Sequence, residues 1–172
     1  ELSRRVEPFI PVFAMAMNLV LIAADAFGFL FSWELMSLAS WALVVSRHED
    51  PEALRAGHVY LVMAAIGTIA MLFAFGGMAG AAGNYAFAAI RETKLGPGVS
   101  ALVLFAALAG AGSKAGIAPL HAWLPLAHPA APSHVSALMS GVMTKVAVYG
   151  FIRIVFDLMG TPPAWWALPL LI

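Results

Sequence analysis

Five long apolar runs, interrupted by only a few charges, restrict this chain more than any other feature it has. They extend from Phe9 to about Ala24, from Phe27 to about Ser46, from Gly57 to about Gly80, from Gly98 to about Ala127 and from Val135 to about Phe156. A sixth begins near residue 164. A helix needs about 20 predominantly apolar residues to cross the hydrocarbon of a bilayer. Runs of these lengths therefore predict helices over about 9–24, 27–46, 57–80, 98–127 and 135–156, with part of a sixth over 164–172. The fold class expected is an all-α, polytopic membrane helix bundle. Because the chain opens at Glu1 and stops inside an apolar stretch at Ile172, residues 1–172 are expected to be a fragment of a longer transmembrane domain.

Composition excludes the main alternatives. Only 10% of the 172 residues are charged, against 62% apolar, whereas a soluble domain carries about a quarter charged residues. Nine basic and nine acidic side chains are too few to coat a soluble enzyme, and nucleic acid would require a basic surface. The sequence has no cysteine, which removes iron–sulfur ligation, thiolate zinc sites and covalent haem attachment. No cofactor and no metal are expected, so redox chemistry linked to this chain belongs to other subunits. Placing Arg4 and Arg5 in the cytoplasm puts Arg47 and Arg55 there too, and Arg91, Lys94 and Arg153 outside. That orientation obeys the positive-inside rule by four cations to three.

Depth carries the functional signal. Glu34 lies eight residues past Ala26, about 12 Å along a helix. Lys145 lies ten residues past Val135, about 15 Å, and Lys114 is near the middle of its own run. In a hydrocarbon layer about 30 Å thick, one acid and two bases on three helices fall at one depth. Each costs about 2.5–3.5 kcal/mol at bilayer centre, so such groups face the protein interior and mark ion or proton paths. A structural ion pair accounts for Glu34 and one lysine but leaves the other unmatched. Whether Lys114 holds its proton would then depend on Glu34, which is the working part of a proton pump. The expected geometry places both ammonium groups in a common interior, with Glu34 approaching from its own helix.

The fourth run, about 30 residues long, contains Gly116, Pro119 and Pro125. Each proline removes a backbone donor, and a broken helix is tolerated at membrane depth only beside protein or a cavity. The helix is therefore expected to break between Lys114 and Pro125. His121 lies between the prolines, where it serves equally as a proton relay or as a cap on freed carbonyls. In the fifth run, His134, Leu138, Gly141 and Lys145 are spaced to share one helix face, with nearby hydroxyls suited to a water chain. His58 is expected at a solvated helix end rather than in a relay, Asp25 in a turn, and His128 in a loop in preference to a proton-entry role.

Three stretches carry a resemblance. Trp33-Glu34-Leu35-Met36-Ser37-Leu38-Ala39-Ser40-Trp41 is the first and Ser113-Lys114-Ala115-Gly116-Ile117-Ala118-Pro119-Leu120-His121-Ala122-Trp123-Leu124-Pro125 the second. The third is Ala131-Pro132-Ser133-His134-Val135-Ser136-Ala137-Leu138-Met139-Ser140-Gly141-Val142-Met143-Thr144-Lys145. Together they resemble the antiporter-like proton-translocating subunits of complex I, of multisubunit Na⁺/H⁺ antiporters and of formate-hydrogenlyase-type hydrogenases. The wording around Glu34 is most similar to the hydrogenase-4 component B subfamily. The resemblance implies a five-helix half-channel repeat with a broken fourth helix, and proton-transfer roles for Glu34, Lys114 and Lys145. It also implies other membrane subunits of a redox or antiporter complex as partners, and a bacterial cell membrane as location. One departure stands out: after Trp-Leu-Pro the family commonly has an acid, where this chain has Leu126.

The reading that follows is a proton-translocating subunit driven by redox chemistry in its partners. A cation/proton antiporter subunit, exchanging Na⁺ for protons, would use the same residues. An inactive membrane scaffold is the remaining alternative, and it gives no reason to keep three costly charges.

Overall fold

A computed structural model of the chain describes residues 8–160 and Trp166. Among these the chain is helical, with α1 Phe9–Ile22, α2 Ala26–Val44, α3 Pro51–Ala82, α4 Phe87–Glu92, α5 Pro97–Ala115, α6 Leu124–Ala130 and α7 Ser133–Leu158. Helices α2, α3, α5 and α7 are long and apolar enough to cross a membrane, and α1 is a shorter apolar helix. The chain is a membrane-spanning helix bundle. Its surface supports this: Ile22, Phe27, Phe31, Phe73 and Phe105 are exposed, while alanine, glycine and serine fill much of the interior. An apolar exterior around small-residue contacts is how helices pack in lipid.

Local chemistry explains the helix ends. Asp25 caps α2, its Oδ1 accepting from Gly28 N at 2.7 Å, and backbone bonds tie this turn to the loop before α4. Helix α3 starts at Pro51 rather than near Gly57, because Asp50 accepts from Glu52 N and Pro51 occupies the first turn. It ends at Gly83, whose φ of 65° is left-handed. Between the second and third long spans, residues 81–97 contain the short helix α4, packed inward by Phe87 and Ile90. Arg91 holds α4 to the end of α7 through a two-point bond to Asp157, both distances 2.8 Å, and Arg153 joins the same carboxylate at 3.1 Å. The sixth run, about 164–172, lies outside the described residues except for Trp166, which is buried.

The fourth run is divided. Helix α5 stops at Ala115, Gly116 takes φ 79°, turns follow, and α6 starts at Leu124. A Cβ at Gly116 would lie 2.1 Å from Leu124 Cδ1, so glycine is required twice over, for conformation and for space. Pro125 sits in the first turn of α6, where its missing donor costs nothing. Helix α7 is not uniform either: Met139–Met143 and Arg153–Leu158 are wound as π-turns.

Candidate functional site

Helix α2 supplies a polar edge, one residue in three, along a mostly apolar helix: Glu34, Ser37 and Ser40. Successive members stand about 4.5 Å apart along the axis. Each meets a partner from another helix. Glu34 Oε2 accepts from Thr68 Oγ1 of α3 at 2.6 Å. Ser37 Oγ accepts from Lys114 Nζ of α5 at 2.5 Å. Ser40 Oγ pairs with Tyr60 Oη of α3 at 2.5 Å. Three polar rungs thus link α2 to its neighbours, with the lysine in the middle.

Lys114 is 4% exposed. Its ammonium lies 5.3 Å from the Trp33 ring centroid and 6.0 Å from that of Tyr60, so aromatic faces supply part of its solvation. The preceding residue fixes the helix end: Ser113 Oγ donates to Met63 O of α3 at 3.0 Å, and Ser113 O accepts from Trp123 Nε1 at 2.7 Å. The second bond uses a carbonyl that the helix break leaves free. Trp123 also packs edge-on against Tyr60 at 5.0 Å. The break therefore lets the far side of the interrupted segment fold back to wall the lysine chamber.

Glu34 is half-buried, and its charge acts on Lys114. The two form no ion pair within 4.0 Å among the described residues, since each is held instead by a neutral hydroxyl. The locked salt bridge that would mark a purely structural pair is not the arrangement found.

The common interior expected for Lys114 and Lys145, with Glu34 approaching, holds Lys114 but not Lys145. Lys145 is exposed, and its Nζ turns back onto Ser140 O of the π-turn at 2.7 Å, beside Thr144 Oγ1 at 2.8 Å. It follows from how α7 docks: Val146, Ala147 and Gly150 face the bundle, and Gly150 lets Phe29 and Trp33 approach within about 3 Å of where its Cβ would stand. Lys145 is left on the outward side. Of the other residues of the predicted stripe, His134 and Gly141 are exposed and Leu138 is half-buried. His121 is exposed in the turns between the two halves of the broken run, and only its backbone carbonyl is used, by Leu124 N. His128, expected in a loop, lies on α6 and pairs through Nδ1 with Ser136 Oγ at 2.6 Å. Sequence reading passed over Ser37, Ser40, Tyr60 and Thr68. The 34, 37, 40 spacing beside a buried glutamate was the signal available for the first two.

A family model described as "NADH:quinone oxidoreductase/Mrp antiporter, TM" matches residues 23–172. Hydrogenase-4 component B of Escherichia coli (strain K12) is 42% identical over 162 residues, covering 93% of this chain and 24% of that protein. NADH-quinone oxidoreductase subunit N of Deinococcus radiodurans is 28% identical over 152 residues, covering 86% and 31% respectively. Among solved structures, a chain of the Mrp complex from Dietzia sp. DQ12-45-1b superposes with a TM-score of 0.74 at 26% identity, over 89% of this chain and 29% of that one. The chain spans about a quarter to a third of the length of these relatives.

Proposed function

The chain belongs to the NADH:quinone oxidoreductase/Mrp antiporter transmembrane family, and from that premise we propose that it carries one proton-conducting station of a larger antiporter-like subunit. One observation supports this above the others: a buried lysine held by the Ser37 hydroxyl, with Glu34, one turn from that serine on α2, held by another hydroxyl. An ammonium bonded to Ser37 can lose and regain its proton without leaving a broken salt bridge behind. Glu34 sets how strongly that proton is held, through a distance that a small helix movement changes. Partner subunits supply the driving force by redox chemistry, as the relationship to hydrogenase and quinone-oxidoreductase subunits supports.

Lys145 has the next role. A charge at mid-membrane costs about 2.5–3.5 kcal/mol in lipid, so its outward face is where the path leaves this chain for a polar surface of the longer protein or of a partner. His121, His128 and His134 serve proton exchange beyond the Lys114 station.

The test is Glu34→Gln in the intact complex, reconstituted in proteoliposomes. Proton translocation should fall by about tenfold or more while electron transfer to a soluble acceptor is retained, the magnitude expected when a proton-transfer group is lost. Unchanged translocation would remove Glu34 from the path. Translocation that appears only with an opposing Na⁺ gradient would select the antiporter reading.

A further inference from the structure

Helix α3 begins beside a polar cavity of about 300 Å³ whose lining includes Arg47, Asp50, Glu52, Arg55, Ala56 and Pro125. Arg47 closes one side by donating to Pro129 O at 3.1 Å and Ala130 O at 2.9 Å, which caps the end of α6. Ala56 lines this cavity, and Tyr60 follows it on α3 by one turn, about 6 Å deeper. Tyr60 is 2% exposed. Its hydroxyl meets Ser40 at one side and Met143 Sδ at 3.8 Å on the other. Its ring lies against Trp123, which walls the Lys114 chamber. Between the cavity and Lys114, Tyr60 thus places a hydroxyl with a hydrophilic neighbour and an apolar plug.

We propose that Tyr60, held by Ser40, is a further residue of the proton path, and that it admits protons to Lys114 from the Arg47–Pro125 cavity. The inference rests on the Lys114 reading above and adds its access route. In the transfer a hydronium entering from the cavity gives its proton to the Tyr60 oxygen. The phenol's own proton passes to the free amine of Lys114, so that one O–H bond is remade, one N–H bond forms and the phenol ends neutral. Four methylenes give the amine the reach to move between Ser37 and Tyr60. Ser40, which also reaches Met36 O and Ser37 O, holds the phenol oxygen in line. Met143 offers only a weak acceptor, which discourages loss of the proton toward α7. The cavity carries Asp50 and Glu52 to collect protons, and Leu126 also lines it. The cavity is on the side of Arg47 and Arg55, the side that the charge count assigns to the cytoplasm.

The experiment compares Tyr60→Phe, Ser40→Ala and Lys114→Ala in the intact complex, measuring translocation and electron transfer across a range of pH on the cavity side. Tyr60→Phe keeps the ring on Trp123 and removes only the hydroxyl. Its translocation should drop about tenfold near neutral pH and climb back as that medium is acidified, because mass action replaces the lost station. Ser40→Ala should behave alike but more mildly, and Lys114→Ala should not recover. Wild-type translocation by Tyr60→Phe at every pH, with Lys114→Ala inactive, overturns the proposal and leaves the Lys114 reading intact. A loss in Tyr60→Phe that acidification does not relieve assigns the hydroxyl a packing role and overturns it equally. Normal translocation by Lys114→Ala itself would remove the underlying reading.

Discussion

Lys114→Ala in the intact complex is expected to lower proton translocation by about a hundredfold or more, with electron transfer to a soluble acceptor largely preserved. The protein should remain folded. Ser37 Oγ already donates to Trp33 O at 2.9 Å, so its hydroxyl keeps a partner when the lysine goes, and removing a buried charge relieves a desolvation cost. The informative companion is Lys114→Arg. Arginine keeps the positive charge and can bond Ser37, but it does not release its proton at any working pH. A lysine that merely anchors helices would be replaced well by arginine. A lysine that must discharge would not, and Lys114→Arg should then translocate as poorly as Lys114→Ala. Translocation and assembly, measured on the same preparations, separate the two.

The helices were legible because lipid demands long apolar runs, and the break after Lys114 was legible because glycine and proline leave marks that no tertiary contact erases. Pro51 was equally plain as a first-turn residue, although the apolar run that marks the span begins only at Gly57. The orientation of Lys145 was a different matter. Spacing groups His134, Leu138, Gly141 and Lys145 on one face of a regular helix, but periodicity does not say whether that face looks inward. In a soluble helix the polar side is the outer one; in a bundle surrounded by lipid both sides are apolar and that contrast is lost. The small residues Ala147 and Gly150 mark the true inner side, and two π-turns shift the register along α7. The rungs at Ser37 and Ser40 were hidden for a related reason, since serine packs membrane helices as often as it conducts. Only the partners from α3 and α5 separate the two uses.

Gly110→Val should have the second large effect, on assembly rather than on transfer. At the crossing of α3 and α5 the backbones touch: a Cβ at Gly110 would lie 2.6 Å from Met71 Cγ and 2.9 Å from Gly67 O. Met71 can move, but a backbone carbonyl cannot without displacing its helix. Reciprocally, a Cβ at Gly67 would stand 3.2 Å from Gly110 O. Forcing a branched side chain into such a contact costs about 1–3 kcal/mol, occasionally more. The helices must then part, and the Ser113–Met63 bond one turn on, which holds Lys114 at its station, is strained with them. The expected result is a sharp fall in assembled complex, seen by size-exclusion chromatography after detergent extraction, and a lower Tm for what survives. Gly76→Ala, on the partner helix α3, is the control, because nothing lies within 4 Å of the Cβ it would add, and alanine favours helix over glycine. That variant should assemble normally. A Gly110→Val complex equal to wild type in yield and Tm would mean that α3 and α5 cross with slack, and the position of Lys114 would then have to be set by Trp123 and Ser37 alone.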